Sequence, residues 1–377
     1  MTISTTKKIV GVAAAAGLLF ALAGCGAAPE DTTSTSGAGA TGGAEKPADS
    51  NFKPCIVSDD GGWNDKSFNQ SAKEGLDKIA AELGVKTVEL QSDGDSDYAP
   101  NLEQLVSQNC TYIVTVGFKL AAATVDSAKA NPDINYAIID DSADVDQDGK
   151  TDAPNIKPLL FDTVQAAYLG GYAAAAWSDA SGVNKVGTFG GIPIPPVTIF
   201  MDGFVDGVKK FNEDNSKNVE AIGWDVAAQN GQMTGGFAAN DTAKQTAQSL
   251  LDQGADVLLP VGGPIYQSAA AAMAEGDVML GVDSDVAVSD PSVADKVLVS
   301  IMKRIDEAVY TSVKEAAAGN VDVTPYLGTL ANDGVGLSSF HDFESKLPAG
   351  LTDKLDALKK DIIDGKITVT SVSSPKA

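Results

Sequence analysis

Asp59 and Asp60 close a short apolar run and stand directly before Gly61-Gly62. Paired carboxylates can do acid–base work, or they can accept hydrogen bonds from a polar ligand. Phe68 follows at the start of the next helical pattern and sets an aromatic plate beside those acids. A second aromatic, Phe237, comes after the flexible run Met233-Thr234-Gly235-Gly236. Two rings facing across a gap can sandwich a planar heterocycle, and stacking is worth ~1–3 kcal/mol per base. Asp283, in Gly281-Val282-Asp283-Ser284-Asp285, ends another apolar run. A carboxylate there can accept two hydrogen bonds from a vicinal diol, such as the hydroxyls of a ribose. Lys303, in Ser300-Ile301-Met302-Lys303-Arg304, ends the next run and can pair with these acids and donate to a ligand. Gly262 opens a Gly-Gly-Pro turn after a further apolar run.

Catalytic chemistry is harder to assemble. The chain has one histidine, His341, late in the sequence, and no Cys-His or Ser-His-Asp set forms around the residues above. The Gly-Gly turns at Gly61, Gly190 and Gly262 lack the spacing of a phosphate-binding P-loop. The residue types therefore favour binding over catalysis. Each has a structural alternative. Phe68 lies on the apolar face of its own helix, Asp283 can cap a helix, and Lys303 can be a solvated lysine at a helix start. Their joint occurrence at strand ends points to one site.

Strands and helices must alternate to put them there. Apolar, β-branched runs at 56–58, 86–90, 112–116, 136–139 and 156–161 read as strands, with helical periodicity at 66–83, 100–108 and 120–130. Asn64, Asp65 or Ser67 can cap the first helix. An Ala- and Gly-rich helix at 163–177 follows. The alternation then restarts, with strands at 185–189, 220–224, 256–260, 278–282 and 297–301 and helices at 197–212, 242–253, 265–274 and 306–318. A strand near 336–339 and a closing helix at 352–364 complete the pattern. Such alternation implies parallel sheets with right-handed crossovers. In sheets of this kind ligands sit outside the carboxyl ends of the strands. The fold class is thus α/β, two doubly wound Rossmann-like lobes joined by a hinge. Lobe 1 spans 52–162 with returning segments from about 303–345. Lobe 2 spans 163–302 with the C-terminal helix in about 350–377.

The ends of the chain carry a different message. Lys7-Lys8, an apolar run over 9–22 and the sequence Leu22-Ala23-Gly24-Cys25 describe a secretory signal over 1–24. Leu-Ala-Gly-Cys resembles a bacterial lipobox, which makes Cys25 the lipidated (palmitate-bearing) residue; the alternative is a plain signal peptide with a chance cysteine. Residues 25–51 are rich in Ala, Gly, Ser and Thr and read as a flexible tether. With 27 basic against 51 acidic residues the formal net charge is −24. That excludes nucleic-acid polymers as partners, because their affinity comes from cationic contacts. It leaves a single nucleoside, which has no phosphate, as an acceptable ligand.

Cys55 and Cys110 remain once Cys25 is assigned to lipid, and an even pair in an exported protein invites a disulfide. Each stands just before a strand, and in a 2-1-3 strand order those two strands are neighbours. A Cys55–Cys110 bond away from the ligand end is expected; two unrelated buried thiols are the alternative. Asp144, Asp146, Asp148 and Asp152 around Gly149 space acids like a calcium loop, but Asn155 stands where the closing Glu belongs. A solvated acidic turn is the better reading, and neither a metal nor a cofactor is expected.

The segment Asp59-Asp60-Gly61-Gly62-Trp63-Asn64-Asp65-Lys66-Ser67-Phe68-Asn69 resembles the opening signature of the basic membrane protein family. Phe161-Asp162-Thr163-Val164 through Gly171-Tyr172, and Met201-Asp202-Gly203-Phe204-Val205-Asp206-Gly207, match further runs of that family in order. The resemblance covers residues 53 to about 345. It implies a type I periplasmic binding protein, a lipoprotein of an ABC importer in a family whose characterised members mostly bind nucleosides. It further implies that Asp59, Asp60, Phe68, Phe237, Gly262, Asp283 and Lys303 hold the ligand. Purine binders often carry Asn where this chain has Asp60, and a smaller residue where it has Trp63. The expected protein is a monomeric, non-enzymatic receptor, lipid-anchored on the extracytoplasmic face of the cell membrane, delivering a nucleoside to an ABC permease. The alternatives are a receptor for a sugar or other small polar solute, an exported nucleoside-processing enzyme, and a sensing partner of a membrane kinase.

Overall fold

A computed structural model describes residues 49–376. The signal segment, Cys25 and nearly all of the tether lie outside the described residues. No helix among the described residues is long and apolar enough to cross a membrane.

Two six-stranded sheets organise the chain. The first is built from β1 (Pro54–Val57), β2 (Val88–Leu90), β3 (Tyr112–Val116), β4 (Asn135–Ile139), β5 (Ile156–Phe161) and, much later, β13 (Tyr326–Gly328). Its order is β2-β1-β3-β4-β5-β13 and every pair is parallel. Helices α1 (Phe68–Leu83) and α9 (Ile305–Ala317) pack together on one face, while α2 (Tyr98–Ser107) and α3 (Ala121–Ala130) cover the other. Covered on both faces, β1, β3 and β5 are buried along their whole length, which is why they read as unbroken apolar runs.

The second sheet repeats the plan. Its strands are β6 (Lys185–Gly190), β7 (Glu220–Ile222), β10 (Val257–Val261), β11 (Val278–Asp283), β12 (Val297–Lys303) and β14 (Val335–Leu337), in the order β7-β6-β10-β11-β12-β14. All pairs are parallel except β12 with β14. On one face lie α4 (Val164–Ser181), α5 (Pro195–Asn215) and α10 (Leu351–Ile363), on the other α6 (Asp241–Asp252) and α7 (Ile265–Ala272). A two-stranded ribbon of β8 (Trp224–Asp225) and β9 (Asn230–Gly231), and the single turn α8 (Val286–Ser289), complete the inventory.

The chain passes between the sheets three times. It leaves the first after β5 into α4, returns from β12 through Arg304 into α9, and leaves again between β13 and β14. These crossings are bonded to one another: Asp162 N–H donates to the Gly328 carbonyl (2.8 Å) and Arg304 N–H to the Gly334 carbonyl (2.9 Å). Three adjacent crossings are what a hinge between lobes requires.

One assignment needs correction. The returning segment expected in lobe 1 over 303–345 is split. α9 and β13 do return, but β14 pairs antiparallel with β12 and so belongs to the second sheet. The reason is geometric: the 329–334 turn carries the chain back across the crossing, and β14 finds the open edge of β12. The ribbon and β13 carried no clear sequence signal, being two or three residues long.

Cys55 and Cys110 form a disulfide across the neighbouring strands β1 and β3 (Cα–Cα 6.0 Å), at the end of the sheet away from Asp59.

Helices α4 and α5 come close enough that small residues are required. A Cβ on Gly171 would run into the Phe204 carbonyl, and one on Gly207 into the Tyr168 carbonyl. Gly207→Ala should therefore destabilise the protein by about 1–3 kcal/mol, the usual cost of overpacking. Denaturant unfolding of the variant against the wild type measures this, and an unchanged midpoint would show that the helices part at no cost.

Candidate ligand-binding site

The carboxyl ends of both sheets face one cavity. The first lobe supplies Asp59, Phe68, Gly117, Lys119 and Asp140; the second supplies Phe200, Phe237, Gly262, Asp283 and Lys303.

Asp59 follows β1, and its Oδ1 accepts from Asn69 Nδ2 (2.7 Å) and Gly61 N–H (2.9 Å). Oδ2 takes no hydrogen bond from a described residue and lies beside Gly117, whose bare Cα admits both this oxygen and the Phe68 ring. Asp65 caps α1, with Oδ1 accepting from Ser67 N–H (3.0 Å) and Oδ2 from Asn69 N–H (2.8 Å). This frees the Ser67 hydroxyl, which points to the other lobe. Burial pushes the Asp59 carboxyl up to about 7, against the hydrogen bonds from Asn69 and Gly61, and the charges of Asp60 and Asp65 add to the rise.

The deepest group is Lys303, the last residue of β12 and 3 % exposed. Its Nζ lies 2.6 Å from Asp140 Oδ2 and 3.3 Å from Asp283 Oδ1. Burial alone would push the Lys303 pKa down, but the charges of Asp140 and Asp283 outweigh it, so the ammonium is held charged. Nζ also stands 5.2 Å from the ring centroids of both Phe68 and Phe200. Asp140 and Asp283 both sit at the ends of strands with left-handed backbones, at φ 65° and 66°. Non-glycine residues in that region are uncommon, and such conformations gather at functional sites.

Asp283 Oδ2 accepts from the Ser67 hydroxyl (3.2 Å). Its Oδ1 lies 3.3 Å from the Lys303 ammonium, an ion pair outside strict hydrogen-bond geometry.

Six of the seven expected ligand residues line the cavity: Asp59, Phe68, Phe237, Gly262, Asp283 and Lys303. Phe237 lies flush over Gly191 and Gly262, where any Cβ would strike the ring. Asp60 does not line it. Its carboxylate turns to Lys119 Nζ (3.1 Å) and the Tyr98 hydroxyl (3.4 Å). β1 ends at Val57 and the chain turns at Asp60, which carries that carboxylate outward to Lys119 while Asp59 faces the cavity. Asp140 and Phe200, which border Lys303, are among the cavity residues that sequence reasoning missed, as are Gly117 and Lys119. Ile138-Ile139-Asp140 ends a strand on an aspartate as Gly281-Val282-Asp283 does, and Phe200 lies in the second turn of the helix after β6, where Phe68 is the first residue of the helix after β1. Aligning the strand ends of the two halves would have found Asp140.

His341 is exposed, with Nε2 2.8 Å from Asp285 Oδ2, and does not line the cavity. In the acidic turn, oxygens of Asp144, Asp146 and Asp152 come within 4.8 Å of one another. They already accept from their own loop: Asp144 from Gly149 N–H (2.9 Å), Asp152 from Val145 N–H (2.7 Å).

Comparisons with known proteins agree with this geometry. Residues 52–372 match a family model described as ABC transporter substrate-binding protein, PnrA-like. The chain is 32% identical to the ABC transporter nucleoside-binding protein BmpA of Lactococcus lactis, over 97% of this chain and 99% of the relative. It is 30% identical to an uncharacterized lipoprotein of Pyrococcus horikoshii, over 71% of this chain and 64% of the relative. Among solved structures it is similar to a solute-binding protein of an ABC transporter system from Aeropyrum pernix, with TM-score 0.72, 26% identity, and 86% and 94% of the two chains covered. The two lobes are those of the periplasmic binding protein fold.

The raised Asp59 carboxyl has a consequence for stability. Between about pH 4, the ordinary carboxylate range, and about pH 7, the folded chain keeps a proton on Asp59 that the unfolded chain has released. Stability therefore falls as pH rises through that window. Asp59→Asn, which keeps an acceptor toward Asn69, removes this slope. The variant should gain stability over the wild type across the window, on the order of a few kcal/mol at its upper end. Guanidinium unfolding at a series of pH values reads the difference, and parallel curves would show that Asp59 is ionised throughout.

Proposed function

This chain belongs to the PnrA-like substrate-binding proteins of ABC transporters, and we propose that it captures a nucleoside outside the cell and delivers it to an ABC permease. The observation that carries the ligand is the group around Lys303. Two buried carboxylates, Asp140 and Asp283, hold a charged lysine at the cavity, with the faces of Phe68 and Phe200 within reach of that lysine and Phe237 lining the same cavity. Pentose hydroxyls can donate to these acids and accept from the lysine, and a flat base supplies something for the rings to cover. The name of the Lactococcus lactis relative supports the same ligand.

The ligand is an unphosphorylated one. The lining lysines are already paired, Lys119 with Asp60 and Lys303 with Asp140 and Asp283. A phosphate would find no free ammonium among the described residues that line the cavity and would meet the carboxylates of Asp140 and Asp283, where like charges repel in a medium of low polarity. In this reading Asp283 and Lys303 hold the pentose, Asp59 reads the base through Oδ2, Phe68 and Phe237 stack on it, and Gly262 leaves room for Phe237. Asp60 acts indirectly, by holding Lys119 at the rim. Cys25 carries the lipid anchor, the protein is a monomer at the cell membrane, and no reaction follows binding. A sugar receptor remains the second reading, favoured by the same acids and lysine but giving the aromatic faces less to do.

Titration calorimetry with inosine, adenosine and uridine tests this, with chromatography of the mixtures for free base. Binding without release of base is expected; no binding, or release of base, would overturn the reading. Asp283→Ala should weaken binding at least about a hundredfold, the loss of hydrogen bonds to a charged group. Phe68→Ala should cost ~1–3 kcal/mol of binding energy if the ring stacks on the base; an unchanged dissociation constant would return Phe68 to a packing role.

A further inference from the structure

The turn before α1 is bonded to the opposite lobe at four points, and three of them involve Ser67. Its hydroxyl donates to the Val282 carbonyl (2.9 Å) and reaches Asp283 Oδ2 (3.2 Å). The Ser284 hydroxyl donates back to the Ser67 carbonyl (3.0 Å), and the Ser289 hydroxyl to the Lys66 carbonyl (2.6 Å). Lys66 holds a left-handed backbone (φ 58°), which turns its carbonyl toward α8. Ser67 is fully buried between the lobes. None of these bonds is needed to build either lobe, because Asp65 caps α1 and the Ser300 hydroxyl accepts from the Val286 N–H that opens α8 (3.0 Å).

We propose that Ser67 positions Asp283 for the ligand and, with Ser284 and Ser289, forms an inter-lobe latch that sets how slowly the closed protein releases what it holds. The inference rests on the solute-binding reading and deepens it. Ser67 occupies one oxygen of Asp283, and Lys303 Nζ lies 3.3 Å from the other, so the carboxylate is held from both sides at the cavity wall. The same hydroxyl bonds the strand-end carbonyl just before it, fixing the residue that must meet the ligand. Closing the lobes and completing the site are therefore one event. Opening breaks the latch, while entry of a ligand into the open form does not depend on it. The latch acts on the release rate and not on the association rate.

The variants Ser284→Ala and Ser289→Ala together remove two latch bonds without touching a cavity residue. The release rate of inosine, followed by stopped-flow fluorescence, should rise about tenfold, the size expected for losing hydrogen bonds of ordinary strength, with the association rate unchanged. Ser289→Thr, which keeps a hydroxyl, should stay near wild type. Ser67→Ala should raise release further, since it also loosens Asp283. A second readout needs no ligand. Spin labels at Ser96→Cys and Ala239→Cys, exposed residues on opposite rims, report the lobe separation. The ligand-free wild type should show a closed population that the double alanine variant loses. Equal release rates and equal distance distributions in the two proteins would overturn the latch. If the wild type binds neither inosine nor uridine, the nucleoside reading fails by itself. The distance measurement then still decides, and a wild type no more closed than the variant overturns the latch.

Discussion

Lys303 brings one ammonium to a place that water does not reach, and two carboxylates meet it there. A buried charge without partners would cost several kcal/mol, so the lysine needs both neighbours to stay folded in this position. The pair of acids overcompensates, since two carboxylates surround one ammonium. Aromatic surfaces at Phe68 and Phe200 border the same ammonium.

The triad exists because the fold repeats itself. β4 occupies in the first sheet the place that β11 occupies in the second, and each ends at an aspartate in a left-handed conformation. α1 follows β1 as α5 follows β6, and each brings a phenylalanine to the same lysine. A parallel sheet collects all its carboxyl ends on one edge. Two such sheets, with their edges turned toward each other, collect two sets of strand-end residues around one cavity. Lys303 itself comes from β12, immediately before the chain crosses at Arg304. The residue that binds the two acids together is thus also anchored at the hinge, where lobe motion displaces it least.

Much of this was legible in the sequence, for a physical reason. Strands covered on both faces leave unbroken apolar runs, so their ends are visible, and a polar residue at such an end is conspicuous. Asp59, Asp283 and Lys303 were found in that way, and Phe68 by its place at the start of the following helix. What was missed had weaker local signals. Asp140 lies in an Asp-Asp pair ahead of an acidic turn, where a further acid draws no notice. Phe200 sits inside a long apolar stretch of α5 in which most residues are buried, so its aromatic character does not separate it from the core. Asp60 was misplaced because neighbours in sequence were treated as neighbours in space, although their side chains diverge. β13 and β14 are three residues each and pair with strands more than thirty positions away, which no local pattern encodes.

The bonds that Ser67, Ser284 and Ser289 make between the lobes set a limit on how tightly the closed shape can be held. Net hydrogen bonds are worth ~0.5–1.5 kcal/mol each, so a handful of them contributes on the order of a few kcal/mol. A ligand shifts such an equilibrium only by its differential affinity for the two states. Strand ends from both sheets line the one cavity, so a molecule lying there touches both lobes only when they are together. If the inter-lobe bonds were much stronger, the protein would close on nothing.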